Sequence, residues 1–398
     1  MNLSSFLKRL LICSLTIYTP LFIISTYDYL FISNRTRKVF EIKKQRLLSE
    51  DIPQKLKAVN SGYKPLFFPN KLIKNEIRPT FFPVGSMPFT NSYYCNEGYG
   101  LVTFKTDRFG LRNIDNKWKF ANRNSNVFLI GDSYPFGECV QNNETIPFII
   151  NNLTSINTLN LANDGNGPYE YMVTLKSIAS PSIHNTNKEN YIVMFFSDND
   201  NIAINPRKVE LMKSMQSIVE ITSEKGIFPN TNYSNEIKKL IKDNYSLSKK
   251  ELIKEIKDLK NKTNKTIKHS FLYQISTLVP IRSNAKNFIT SLSISKADSP
   301  SDKAIGLLSK ICKKQCKPIV VYIPSSSFWE KNSKSNIYKN KIYSRSKELG
   351  ISFIDGEEII DKDNIKDYAP KGHHLSKSGY VKIGNIVSDE IRNYHKNE

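Results

Sequence analysis

The sequence predicts an α/β fold, a parallel sheet covered by helices on both faces, and three observations predict it. Five short apolar runs, at 127–130, 158–161, 191–196, 319–323 and 351–354, recur along the second two thirds of the chain. The run at 127–130 is apolar throughout and is consistent with a strand buried on both faces, and the other four are read as the strands that follow it. Helical segments separate them, which is the rhythm of a parallel sheet.

The elements follow in order. A helix is expected at 145–153 after the first run, with Pro147 tolerable in its first turn. A last helix starts near Ser376, where Tyr380, Ile383, Val387 and Ile391 recur at helical spacing and present one apolar stripe. Between 205 and 300 the rhythm breaks into a Lys-rich stretch read as a helical insertion. Ser248 and Glu251 form a capping box there before Leu252, Ile256 and Leu259. A solvated amphipathic helix pair is the preferred reading of it over a lid. Before the first strand, residues 35–57 read as a charged helix broken at Pro53, and 61–116 as a β-rich or irregular lead-in.

The N-terminus carries an address. After Lys8 and Arg9 an uncharged stretch runs from 10 to 27, and beyond Asp28 the apolar character resumes at Tyr29, Leu30, Phe31 and Ile32. About 20 apolar residues span a bilayer, and no small-residue cleavage site follows, so the expectation is one uncleaved anchor. The chain thus divides into an anchor at 1–34, a juxtamembrane helix and lead-in at 35–120, and an α/β domain at 121–398.

Composition sets limits. With 39% hydrophobic and 11% aromatic residues among 398, the chain is globular. Its net charge is +21, but Lys, Asn and Ile are frequent throughout, and no basic patch interleaved with aromatics marks a nucleic-acid surface. No nucleic-acid partner is expected. Cys13, Cys95, Cys139, Cys312 and Cys316 lack metal-finger spacing, so no metal or cofactor is expected. A disulfide among the last four remains open.

Chemistry concentrates in four loops, each at or soon after the end of an expected strand, where parallel sheets bind ligands. Gly131-Asp132-Ser133 follows the first strand and projects a serine hydroxyl into the crevice; that hydroxyl needs a base. Asp132 reads as a loop organiser. The loop 160–167 contains Gly165 and Gly167 and offers backbone N–H groups. Ser197-Asp198-Asn199-Asp200 offers a side-chain amide from Asn199, with Asp200 as a brace. His373-His374 precedes the last helix and supplies an imidazole, one of only five in the chain.

Gly131-Asp132-Ser133, the Gly165 loop, Asn199-Asp200 and His374-Leu375-Ser376-x-x-Gly379 stand in the order of the four blocks of the SGNH (GDSL-type) hydrolase superfamily. The resemblance covers about 106 to 394, apart from the insertion. It extends upstream to the segment 106–113, which resembles the lead-in of bacterial membrane-anchored members. It implies a flavodoxin-like three-layer α/β/α sandwich with five parallel strands. It implies Ser133 as nucleophile, His374 as general base, and Ser133, Gly165 and Asn199 as oxyanion donors.

Two departures stand out: Ser197 replaces the usual Gly of the third block, and Lys371 holds the position of the acid three residues before the His. A lysine cannot orient the imidazole. Three consequences stay open: a Ser–His dyad, a displaced acid such as Asp367 or Asp363, or weakened activity.

The function implied is a membrane-anchored serine esterase acting on an acylated small molecule or polysaccharide, such as an O-acetyl group on envelope carbohydrate. Acyl transfer by the same residues is a variant of it. The alternative is a non-catalytic glycan-binding or scaffold protein that keeps the fold. For orientation, the cations after the span (Arg35, Arg37, Lys38, Lys43, Lys44, Arg46) favour a cytoplasmic C-terminal side. The resemblance favours the extracytoplasmic side, which is the expectation adopted.

Overall fold

The computed structural model describes residues 45–67, 83–184, 188–200, 218–244, 299–313, 315–329 and 335–396, with positions 16, 18–23, 26 and 42 near the N-terminus. The expected anchor therefore lies almost wholly outside the described residues. Among the described residues, no helix is long and apolar enough to cross a membrane.

Among the described residues, ten strands form three sheets. The central one contains β4 (Asn126–Ile130), β5 (Asn157–Asn160), β6 (Asn190–Ser197), β9 (Lys317–Ile323) and β10 (Ser352–Asp355). Its order is β10-β9-β6-β4-β5, with every pair parallel. Each strand falls on one of the five apolar runs. Both faces of β4 are buried, as its uninterrupted apolar sequence requires.

Val127 and Leu129 of β4, with Tyr191, Val193 and Phe195 of β6, face a layer containing Ile146, Ile150, Tyr380, Ile383, Val387 and Ile391. Phe128 and Ile130, with Ile192, Met194 and Phe196, face the opposite layer, which includes Tyr171, Ile178, Ile305 and Leu308. The apolar stripe of the last helix, Lys377–Lys396, is thus the part that packs on the sheet. Each such aliphatic side chain contributes about 1.5–3 kcal/mol by leaving water.

The strand order positions the site. From β4 the chain steps outward to β5, then returns to the other side of β4 for β6, so the topology reverses between β4 and β6. A crevice opens at the carboxyl ends of strands that part in this way. Ile130 pairs with Met194 at the end of β4, directly before the Gly131-Asp132-Ser133 turn.

The lead-in is a small sheet of β1 (Lys64–Pro65), β2 (Asn91–Tyr93) and β3 (Thr103–Lys105). The polar groups of the following segment, 106–113, are used up in binding the molecule together. Buried Asp107 accepts from the N–H groups of Phe109 and Leu111 and from the Trp118 indole at 2.7 Å. Asn113 donates to the Asn160 carbonyl and accepts from the Asn160 N–H, capping the sheet edge beside β5. Gly110 has φ +76°, and a Cβ there would lie 1.8 Å from the Ser86 carbonyl oxygen, so only glycine fits.

Arg112 is the consequential member. Its buried guanidinium donates to the Gly137 and Val140 carbonyls, both at 2.7 Å, and to Asn142 Oδ1 at 2.9 Å. Arg112→Ala leaves the buried Gly137 and Val140 carbonyls without this donor, at about 1–3 kcal/mol each. We expect a loss of about 3 kcal/mol or more, measured by denaturant unfolding.

Two local expectations are corrected. Pro53 begins the helix Ile52–Asn60 rather than breaking one, because a wide turn over Leu47–Asp51 precedes it and absorbs the ring. The described start of the insertion is an antiparallel hairpin, β7 (Val219–Thr222) and β8 (Gly226–Pro229), followed by the helix Thr231–Asn244. Arg108 holds the hairpin through the Lys225 and Ile227 carbonyls, so it is built against the lead-in. The capping box at Ser248 and Glu251 lies outside the described residues.

Candidate active site

Ser133 opens a single turn, Ser133–Phe136, and is nearly buried. Asp132 caps that turn by accepting from the Tyr134 N–H at 3.2 Å. The turn is tight because Gly131 allows it: a Cβ there would meet Pro135 Cγ at 2.5 Å. Gly137, at φ +83°, ends it against Thr145. Among the described residues, none hydrogen-bonds the Ser133 hydroxyl.

The glycine loop docks on this turn. The Asn163 N–H reaches the Gly131 carbonyl at 3.3 Å, and the Asn160 side chain donates to the Pro135 carbonyl at 3.0 Å. Gly165 sits exposed in that loop with φ +70°. The third loop approaches from β6. Asn199 is exposed, and its side chain accepts from the Ser197 hydroxyl and bonds Asp132. Ser197, in place of Gly, also reaches Asp132 Oδ2 at 3.1 Å. The third block is thus tied to the carboxylate that caps Ser133.

Asp200 ties its loop to the surrounding structure. It is fully buried, accepts from the Tyr171 hydroxyl at 2.6 Å and the Ser197 N–H at 2.7 Å, and burial pushes its carboxyl well up. Burial likewise raises Asp132.

His374 arrives from the fourth loop. Its ring stands edge-on to Tyr134, centroids 5.5 Å apart, so the imidazole lies beside the serine turn. The acid is neither Asp367 nor Asp363. Asp367 is paired with Lys382 at 2.7 Å and accepts from the Asp361 N–H, while Asp363 takes the Ser327 hydroxyl. Both are therefore corrected as partners of His374.

The carboxylate that His374 does meet is Glu97, from the lead-in. Its Oε1 lies 3.1 Å from His374 Nδ1, and its Oε2 accepts the His374 N–H at 3.1 Å. Gly372 makes room for it: a Cβ at 372 would stand 1.7 Å from Glu97 Cδ. Asn96 fixes the loop by accepting from the N–H groups of Gly98 and Gly100. Lys371 turns away to Glu50, and its backbone N–H donates to the Glu97 carbonyl at 3.0 Å. The lysine at the family's acid position thus anchors the backbone of the substitute.

A second carboxyl completes the cluster. Glu138 Oε2 lies 3.3 Å from His374 Nε2, and Glu138 Oε1 accepts from the Tyr94 hydroxyl at 2.7 Å. Cys139, next to Glu138, is joined in a disulfide to Cys95, two residues before Glu97. A second disulfide joins Cys312 and Cys316. Burial alone would push the imidazole down, yet Glu138 and Glu97 outweigh it and hold His374 at about 10. Burial would raise Glu97, but His374 and the neighbouring N–H groups hold it at about 2. Glu138 rises well above the usual carboxylate range, mainly by burial.

Both carboxyls escaped the sequence reading. The only signal was adjacency to cysteines, at Cys95-Asn96-Glu97 and Glu138-Cys139. The arrangement sets a buried imidazole, paired with an ionised carboxylate, beside the turn that carries Ser133, and these are the group types that nucleophilic acyl chemistry uses.

No protein-family model matches the chain, and no curated protein matches it either. Solved structures similar to it include two of known source. One is a protein titled as lipolytic, of the G-D-S-L family, from Desulfitobacterium hafniense DCB-2, at 13% identity and a TM-score of 0.33, covering 67% of this chain and 99% of its own. The other, named for SGNH hydrolases, is from Slackia heliotrinireducens, at 9% identity and a TM-score of 0.35, covering 67% and 98%.

Proposed function

We propose that this chain is a serine esterase in which Ser133 attacks an acyl carbonyl, His374 takes and returns the proton, and Glu97 orients the imidazole. The observation that carries it is the Glu97 carboxylate on His374 Nδ1 at 3.1 Å. It supplies the acid whose expected position is occupied by Lys371, and so removes the main reason for a non-catalytic reading. A carboxylate there fixes the ring and stabilises its charged form as the proton arrives. The Ser133 and Gly165 N–H groups and the Asn199 amide are the assigned oxyanion donors.

In this reading the chain is anchored by its N-terminal segment, the catalytic domain is extracytoplasmic, and the substrate is an O-acylated carbohydrate. The hydrolytic cycle balances. Oγ bonds the carbonyl carbon as its proton passes to Nε2; the leaving alkoxide takes that proton; water then repeats the sequence on the acyl-enzyme.

Incubation with a fluorophosphonate probe tests it, with covalent label expected on Ser133. Absence of label over the whole pH range at which the protein stays folded counts against the assignment. An aryl acetate supplied with and without a sugar acceptor then separates hydrolysis from transfer, by whether free acetate or acetylated sugar accumulates.

A further inference from the structure

We propose that Glu138 is a positioning residue that occupies the Nε2 face of His374 at rest and releases it when an acyl donor enters the crevice. The inference rests on Ser133 being the nucleophile. An imidazole has two nitrogens, and Nδ1 is committed to Glu97 at 3.1 Å. Nε2 is the atom left to take a proton from Ser133, and Glu138 Oε2 stands 3.3 Å from it. The Ser133 hydroxyl meanwhile takes no hydrogen bond from the described residues.

The backbone of Glu138 is fixed. Its N–H donates to the Ser133 carbonyl at 3.0 Å, its carbonyl accepts from the Tyr380 hydroxyl at 3.1 Å, and the next residue is disulfide-bonded. Only the side chain is left to move. Oε1 is held by the Tyr94 hydroxyl, whereas Oε2 is buried and makes no hydrogen bond besides its ion-pair contact with His374.

The charges around the pair set the proton's place. His374 faces Glu97, Glu138, Asp132, Asp164 and the ring of His373; Glu138 also faces Tyr94, Tyr380 and, across its loop, Arg112. Burial raises the Glu138 carboxyl and works against the charged imidazole, so it favours the uncharged pair, while Glu97 and Asp164 act on both partners alike. A proton between Oε2 and Nε2 therefore stays with Glu138 as a neutral carboxyl when the contact opens. Nε2 is left with its lone pair, and the Ser133 proton then moves to Nε2 as Oγ bonds the carbonyl carbon. The carbonyl π electrons pass to the oxyanion.

The test uses the full chain, as wild type, Glu138→Gln and Tyr94→Phe. Two readouts are followed against pH: the rate of fluorophosphonate labelling of Ser133, and the titration of His374 in ¹³C-histidine-labelled protein. Only five histidines are present, so His374→Asn identifies the resonance. For Glu138→Gln both midpoints are expected to fall by about one pH unit or more, with labelling at pH 7 faster by about tenfold. Tyr94→Phe, which only loosens the carboxyl, is expected to shift both the same way by less.

An unmoved His374 midpoint in Glu138→Gln, or slower labelling with an unchanged pH profile, overturns the proposal. Failure of the esterase reading looks different. Ser133 is then unlabelled in every protein, while the histidine titration still decides whether Glu138 controls Nε2.

Discussion

Ser133→Ala is expected to reduce turnover of an aryl acetate by about a millionfold, to the residual level that a binding crevice alone provides. His374→Asn is expected to cost about as much, and the double variant little more than either, because hydroxyl and imidazole act as a unit. The rate constant under saturating ester measures it. Equal turnover by wild type and Ser133→Ala would place the activity elsewhere. The tight turn around Ser133 is set by Gly131, Pro135 and the Asp132 cap, so loss of one hydroxyl should leave the fold intact.

The second large effect is expected at Glu97. Glu97→Gln keeps the shape but replaces a carboxylate beside His374 Nδ1 with an amide whose N–H₂ can face the ring. That stabilises the wrong tautomer and leaves the imidazolium without its partner. A loss of about 10⁴-fold in turnover is the expectation, by analogy with the acid of a serine triad. It should appear in kcat rather than KM, since Glu97 is buried behind the imidazole and touches no substrate. Turnover within a few fold of wild type would show that Glu97 only packs. A buried ion pair that loses one member also costs about 3–5 kcal/mol, so the variant's melting temperature must be measured beside its rate.

Stability should depend on pH through the same cluster. His374 is held above its unfolded value, so its contribution is complete below pH 6.5 and is lost as pH rises towards about 10. Glu138, also raised, acts in the same direction: the folded state binds its proton more tightly than the unfolded chain does. Melting temperature should therefore decline from neutral to alkaline pH, and Glu138→Gln should flatten the decline.

The fold was legible because burial on both faces leaves a plain mark. β4 is apolar from Val127 to Ile130 and buried on both faces, and all five expected runs fell on strands. The loops carrying Ser133, Gly165, Asn199 and His374 were legible for a related reason: they follow those strands. Glu97 was not. It lies in an irregular segment with Asn96 and Gly98, and only the third dimension carries it beneath Gly372. Lys371 misled because position in a motif was taken for role; its side chain faces Glu50, and its backbone serves Glu97. The hairpin at 219–229 was missed because two four-residue strands in a Lys-rich stretch leave almost no periodic signal.

The Cys95–Cys139 bond lies two residues from one carboxyl and beside the other, and it closes a loop across 44 residues. Assembly of the acid–imidazole cluster is therefore coupled to thiol oxidation. A glutathione-rich interior would keep both sulfurs as thiols and leave the segments of Glu97 and Glu138 joined only by non-covalent contacts such as the Tyr94–Glu138 hydrogen bond. Completion of this cluster is then tied to the electron-accepting capacity of the surroundings in which the chain folds.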